Sequence, residues 1–214
     1  MKIKSINNKI YPSFLRLPEK TQKSQTLSPY IQDYVSDSHI GYSLNKSLRS
    51  FKTLSKGEYK TMKDLDSLFY TSSSQITSPT KVYRGISFAT LNRDDVLFSE
   101  FKDLIEGKTY FKTYTDRGFA STTTDFEVAK RFAGRNGVVL EINLPAGVEY
   151  IDIEKVFKNS NIKDDFASKE HEFLLPRDSK FLVTAPLNRN GIVKVEYLEE
   201  VFPKTEPRVD YDKY

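Results

Sequence analysis

The order of the periodic segments constrains this chain more than any single motif. Helical spacing fills residues 28–70, and short strand-like runs follow Pro79. Runs of helix followed by runs of strand predict an α+β domain rather than an alternating α/β one. Ser28 and Pro29 read as an N-cap and a first helical position. Tyr30, Ile31, Tyr34 and Val35 then recur at helical spacing, as do Ile40, Leu44, Leu48 and Phe51. Ser55 reads as the cap of a third helix with Tyr59, Met62, Leu65, Leu68 and Phe69 on its apolar face. All three are expected to be packing elements.

Beyond the Ser/Thr-rich boundary at 71–79, strands are expected at 81–86, in the first half of 117–125, and at 137–144, 149–151, 180–184 and 191–201, with another beginning at Glu170. Asp125 is placed to cap a helix over 126–132 that Gly134 ends. A helix is expected at 96–105 and a turn at 106–108. Residues 154–168, rich in Lys, Asn and Asp, read as a long loop. In domain terms, 1–27 read as a flexible leader, 28–78 as a helical region, 79–202 as the core and 203–214 as a disordered tail.

Composition narrows the chemistry. The chain has no Cys and two His, which excludes disulfides and thiolate chemistry and disfavours a zinc site or a His-based triad. No run approaches the roughly 18 apolar residues of a membrane span. Met1-Lys2-Ile3-Lys4-Ser5 is followed by no apolar stretch of a conventional signal peptide. The net charge of +4 is scattered over many Lys balanced by 29 acids, which predicts a solvated surface rather than a nucleic-acid track. No glycine-rich dinucleotide fingerprint and no phosphate-binding loop is present.

Three short motifs carry chemistry. Glu170-His171-Glu172-Phe173-Leu174-Leu175 reads as a strand with Glu170 and Glu172 on one face and Phe173 and Leu175 on the other. Adjacent carboxylates beside an apolar run repel each other and resist dehydration. The same pair, taken alone, also reads as a solvated strand edge. Tyr83-Arg84-Gly85 offers a planar fork for a phosphate and a glycine that admits close approach to the backbone. The alternative for Arg84 is a surface salt bridge beside a turn. Ser121 and Thr123 share a strand face and can bond a carboxylate or a ligand, or are simply β-formers on a half-exposed strand.

In this order, with a long segment before the E-x-E, the motifs resemble those of bacterial mono-ADP-ribosyltransferase toxins and effectors of the R–S-T-S–E-x-E type. The resemblance runs from about Val82 to Val183 and rests on YRG, GFASTT, VVLEINLPAG and EHEFLLPRDSKFLV, with Thr123 in place of the usual third Ser. It implies N-terminal helices on a mixed, mostly antiparallel two-sheet core with an NAD cleft. In that resemblance Arg84 holds the NAD phosphates and ribose, and Gly85 meets the nicotinamide amide. Ser121 orients Glu172, while Thr122 and Thr123 support the strand. Glu172 bonds the 2′-hydroxyl of the nicotinamide ribose, and Glu170 acts on the acceptor. Phe132 and Arg135 are implied on a loop that closes over NAD; the alternatives are a core residue and a solvated charge. Phe157 and Phe166 either contact the acceptor or pin the loop before Glu170.

In that family Glu at the first E-x-E position goes with arginine acceptors and Gln with asparagine. The resemblance therefore implies an acceptor protein with an accessible arginine, actin and GTPases being acceptor classes to consider. It also implies NAD as co-substrate, no metal, no nucleic-acid partner and no membrane span. Delivery is expected by secretion or injection without a conventional signal peptide, with action in the cytosol of a target cell. An NAD glycohydrolase and a catalytically dead binding module on the same fold stay open as alternatives.

Overall fold

The computed structural model describes residues 27–35, 39–88, 113–160, 170–200 and 206–210. The leader over 1–26, the helix and turn expected at 96–108, and Phe166 lie outside the described residues. Three helices open the chain: α1 Pro29–Val35, α2 His39–Arg49 and α3 Lys56–Thr71. The Ser28 hydroxyl accepts the Tyr30 N–H at 3.2 Å. Ser55 and Glu58 form a reciprocal capping box on α3, an arrangement that contributes about 1 kcal/mol. A Cβ on Gly41 of α2 would lie 2.6 Å from the Tyr34 backbone oxygen, so only glycine lets α1 approach this closely.

Nine strands follow in one sheet: β2 Ser74–Gln75, β3 Thr80–Ile86, β4 Thr113–Asp116, β5 Ala120–Thr123, β6 Val138–Leu144, β7 Glu149–Asp152, β8 Glu172–Leu175, β9 Ser179–Ala185 and β10 Ile192–Glu200. Their order is β2-β7-β8-β5-β3-β6-β10-β9-β4, and every pairing except β6 with β10 is antiparallel. The two sheets expected from sequence are the two halves of this order. They are joined at one registered pair, Tyr83↔Thr123. Beyond it β3 is zipped to β6 over seven pairs and β5 to β8 over four.

The halves pack across a core that includes Val82, Leu140, Ile142, Phe181 and Val195 from one and Ala120 and Leu175 from the other. A second core, with Leu44, Met62, Leu65, Phe119, Ile151 and Leu174, lies between the helices and β5, β7 and β8. Alternation along β8 thus serves two cores, Leu174 one and Leu175 the other. Arg177, fully buried in the β8–β9 turn, forks onto Asp66 of α3 and pairs with Asp178, locking the helical layer to the sheet.

The structure departs from the sequence reading at several places. The loop expected at 154–168 begins as a helix, α5 Ile153–Asn159. The Asp152 carboxylate caps it by accepting the Lys155 N–H, and Ile153, Val156 and Phe157 form its buried stripe. Phe157 is a pin, not an exposed acceptor contact. The tail expected to be disordered contributes β11 Val209–Asp210, which pairs in parallel with β1 Leu54–Ser55. The strand β4 was not expected, because Tyr114 and Asp116 are its only buried positions and two points show no period. No described helix is long and apolar enough to cross a membrane.

Candidate active site

A cleft of about 510 Å³ opens where β3 and β5 part. β3 contributes Tyr83, Arg84 and Gly85; β5 contributes Ser121, Thr122 and Thr123; Glu170 and Glu172 come from the start of β8. Arg84, Gly85, Ser121, Thr122, Glu170 and Glu172, all predicted for the site from sequence, are therefore brought together, and Phe132 joins them at the rim, 55% exposed. The core alternative for Phe132 is thereby excluded. Arg135 is exposed in the turn after α4 Phe126–Ala133 and is not among the cleft-lining residues.

Sheet register explains the carboxylate site. Thr123 stands opposite Glu172 and Ser121 opposite Leu174, so all four share one face. Ser121 is then the diagonal neighbour of Glu172, and its hydroxyl favours the charged form of that carboxylate. Thr122, on the other face, donates to the Phe173 carbonyl at 2.6 Å and ties β5 to β8. Glu172 is buried, and burial pushes its pKa up to about 7. Glu170 adds to the rise, whereas Ser121 and Arg84 oppose it.

The strand does not start at Glu170. β5 ends at Thr123, so pairing stops at Glu172, and His171 turns into the left-handed region with φ of 45°. Glu170 and Glu172 reach one cleft through that turn, not through strand alternation. His171 is half-exposed and lies 3.6 Å from Glu154.

Gly85 has a reason the sequence did not reveal. A Cβ there would lie 2.0 Å from the Ala129 carbonyl oxygen. The close approach it permits is by α4, which the Asp125 carboxylate caps through the Glu127 and Val128 N–H groups. Gly137 makes the same allowance at the other end of the crossing, 2.1 Å from the Ala133 oxygen.

Arg84 is largely covered rather than superficial, its side chain 11% exposed, and its ion pair is with Asp116, 3.0 Å away. Arg49 of α2 forks onto the same carboxylate at 2.8 and 3.2 Å. Burial alone would raise the Asp116 pKa. The two guanidiniums, with hydrogen bonds from Arg49 and the Gly118 N–H, outweigh it and hold the carboxyl below its ordinary value. Burial likewise draws Arg84 below the usual guanidinium range, with Asp116 opposing. The Arg84 Nη1 is buried with no hydrogen-bond partner. An unsatisfied buried donor costs about 1–3 kcal/mol, which an incoming anion would relieve.

The helical layer supplies residues that sequence reasoning assigned to packing alone. Asn45 Nδ2 donates to the Tyr34 hydroxyl at 2.9 Å, and its Oδ1 accepts the Phe119 N–H at 2.8 Å. Tyr34, Asn45 and Arg49 all line the cleft. Burial drives the Tyr34 pKa well up, and the Glu172 charge adds to it. One signal was available in the sequence. Gly41, Asn45 and Arg49 repeat every four residues, forming a non-apolar stripe beside Leu44 and Leu48.

A helical layer over a split, mostly antiparallel sheet, with a basic pocket and a buried carboxylate at the split, is the arrangement implied by the sequence motifs. The family model of the ADP-ribosyltransferase exoenzymes matches residues 2–201, and the chain belongs to that family. C3stau2 from S. aureus, solved with NAD, has a similar fold at 20% identity and a TM-score of 0.57, over 80% of this chain and 85% of that one. The Clostridium limosum C3 exoenzyme is similar at 18% identity and 0.57, over 81% and 87%. Exoenzyme S from Pseudomonas aeruginosa, solved with human 14-3-3 protein beta and carba-NAD, gives 19% and 0.54, over 79% and 71%. A search of curated proteins gives no match.

Proposed function

We propose that this protein is a mono-ADP-ribosyltransferase that moves ADP-ribose from NAD to an arginine side chain of a target protein. The observation that carries the reading is Glu172: buried, diagonal to Ser121, and sited at the split between β3 and β5 with Arg84 in the same cleft. The residues present suit a dinucleotide. Arg84 and Arg49 offer guanidiniums for a diphosphate, and the orphaned Nη1 of Arg84 is a donor in need of an acceptor. Two of the similar structures were solved with NAD or carba-NAD.

NAD supplies an activated glycosidic bond whose cleavage develops positive charge on the ribose, as in glycoside hydrolysis. An ionised Glu172, fixed by Ser121, stabilises that charge more in the transition state than in the ground state. The arginines hold the far end, so binding energy orients the reacting end. Glu170 lies just before the β8 strand ladder and lines the same cleft. As a carboxylate it aligns a guanidinium and takes the proton that nitrogen loses as the new N-glycosidic bond forms and nicotinamide leaves.

Action as a toxin or effector inside a target cell fits the family and stands as part of the proposal. The test is to incubate the protein with labelled NAD and a cell lysate, then map the modified residue by mass spectrometry. Label on arginine is expected. Label on another residue type would remove the arginine assignment. Nicotinamide release with no labelled protein would replace transfer by NAD hydrolysis.

A further inference from the structure

We infer that Asp116 is the positioning residue of the anion pocket: it fixes Arg49 and Arg84 in one rigid array that receives the diphosphate of the dinucleotide. This inference rests on the NAD-dependent reading above. Each Asp116 oxygen has two nitrogen partners. Oδ1 accepts Arg49 Nε at 2.8 Å and the Gly118 N–H at 3.0 Å. Oδ2 accepts Arg49 Nη2 at 3.2 Å and forms an ion pair with Arg84 Nη2 at 3.0 Å. Three hydrogen bonds and an ion pair on a carboxylate with about four lone-pair sites fix its orientation.

The three side chains come from elements distant in sequence: α2, β3 and the end of β4. Gly118 makes the meeting possible, because a Cβ there would lie 2.7 Å from Asn45 Oδ1 and 3.0 Å from Arg49 Nη2. Two guanidiniums side by side repel, and the Arg49 charge acts against that of Arg84. The shared carboxylate cancels that repulsion and leaves one net positive charge. Arg84 is then held by Nη2, with Nη1 left unpartnered.

Charge alone and positioning predict opposite signs for one substitution. Asp116→Asn adds a positive unit to the pocket, so a purely electrostatic role predicts tighter anion binding. Positioning predicts weaker binding. The measurement is NAD hydrolysis by nicotinamide release at varied NAD, with the Kd of ADP-ribose by titration calorimetry, in wild type and variant. We expect KM and the ADP-ribose Kd to rise roughly tenfold to a hundredfold, with kcat at saturating NAD within about threefold of wild type.

Equal or tighter binding overturns the inference. So does a fall in kcat at unchanged KM, which marks loss of folded enzyme. Should Asp116→Asn not fold, Arg49→Lys carries the test. It keeps every charge but loses the fork, and an unchanged KM there overturns the inference as well. If wild type binds neither NAD nor ADP-ribose, this inference and the functional reading fall together. If wild type binds both but labels no arginine, only the acceptor assignment falls, and the binding constants still decide the role of Asp116.

Discussion

Glu172 and Asp116 are both buried carboxylates at one cleft, and their surroundings drive them in opposite directions. Burial penalises charge on each. At Asp116 two guanidiniums and a backbone N–H outweigh the penalty, and the group stays ionised. At Glu172 a serine hydroxyl and the Arg84 charge do not, while Glu170 adds repulsion, so the pKa climbs to about 7. Burial by itself therefore assigns no role. A carboxylate whose charge is compensated is an anchor. One left short of compensation gains most when positive charge develops beside it, which is what an oxocarbenium-like ribose supplies.

The most severe way to break this contrast is to remove the under-compensated charge. Glu172→Gln keeps the shape and a partner for Ser121 but cannot ionise. Nicotinamide release and protein labelling should both fall by about a thousandfold, the scale of a lost transition-state electrostatic contact. Retention of more than about a tenth of either would move the reacting carboxylate elsewhere.

Glu170→Gln should separate the two activities. The neutral amide cannot take the guanidinium proton, so labelling of arginine should fall about a hundredfold, within the usual range for a general base. Nicotinamide release should fall less than tenfold, because Glu172 and Ser121 are untouched. Parallel loss of both would mean that Glu170 serves the ribose as well, and the division of roles would collapse.

The two carboxylates also differ in how much the sequence disclosed. Glu172, Ser121 and Arg84 lie in short motifs, and β5 and β8 are neighbours in register, so local pattern predicted much of the site. Helix and strand identities followed from caps and spacing, as at Ser55, Asp125 and the 138–144 strand. Asp116 was not legible. Its partners Arg49 and Arg84 are 67 and 32 residues away, and only folding reveals that one carboxylate serves both. The reach of α2 into the cleft was hidden for the same reason, since Asn45 meets Phe119 across 74 residues. The turn at His171 misled because E-x-E suits a strand, and only the end of β5 shows that pairing cannot extend there.

Stability against pH should carry the contrast in its sign. Glu172 has a folded pKa raised from 4.5 to about 7. Its contribution is full below about pH 4.5 and is lost as pH rises through 7. Asp116 has a lowered folded pKa, so its contribution is present above its ordinary value of 3.8 and is lost as pH falls below that. Between about pH 5 and pH 8, Glu172→Gln should therefore gain about 2 kcal/mol on wild type. Denaturant melts at both pH values measure it. A difference that is flat or of opposite sign would mean that Glu172 is compensated in the folded protein by a partner as strong as those of Asp116.

The smallest expected effect tests the hydroxyl. Ser121 bonds the charged form of Glu172 and so pulls its pKa down against burial. A hydrogen bond to a charged group contributes about 1.5 kcal/mol, close to one pKa unit. In wild type, kcat/KM for nicotinamide release should rise with pH through about 7, because Glu172 must be ionised to act. In Ser121→Ala that limb should move up by about one unit, with activity partly recovered at alkaline pH. Alkaline recovery is the decisive feature, since a role for Ser121 in strand packing alone would depress activity equally at every pH. A limb that stays near 7 with a uniform loss would assign Ser121 to the scaffold and leave Glu172 held by burial and Arg84 alone.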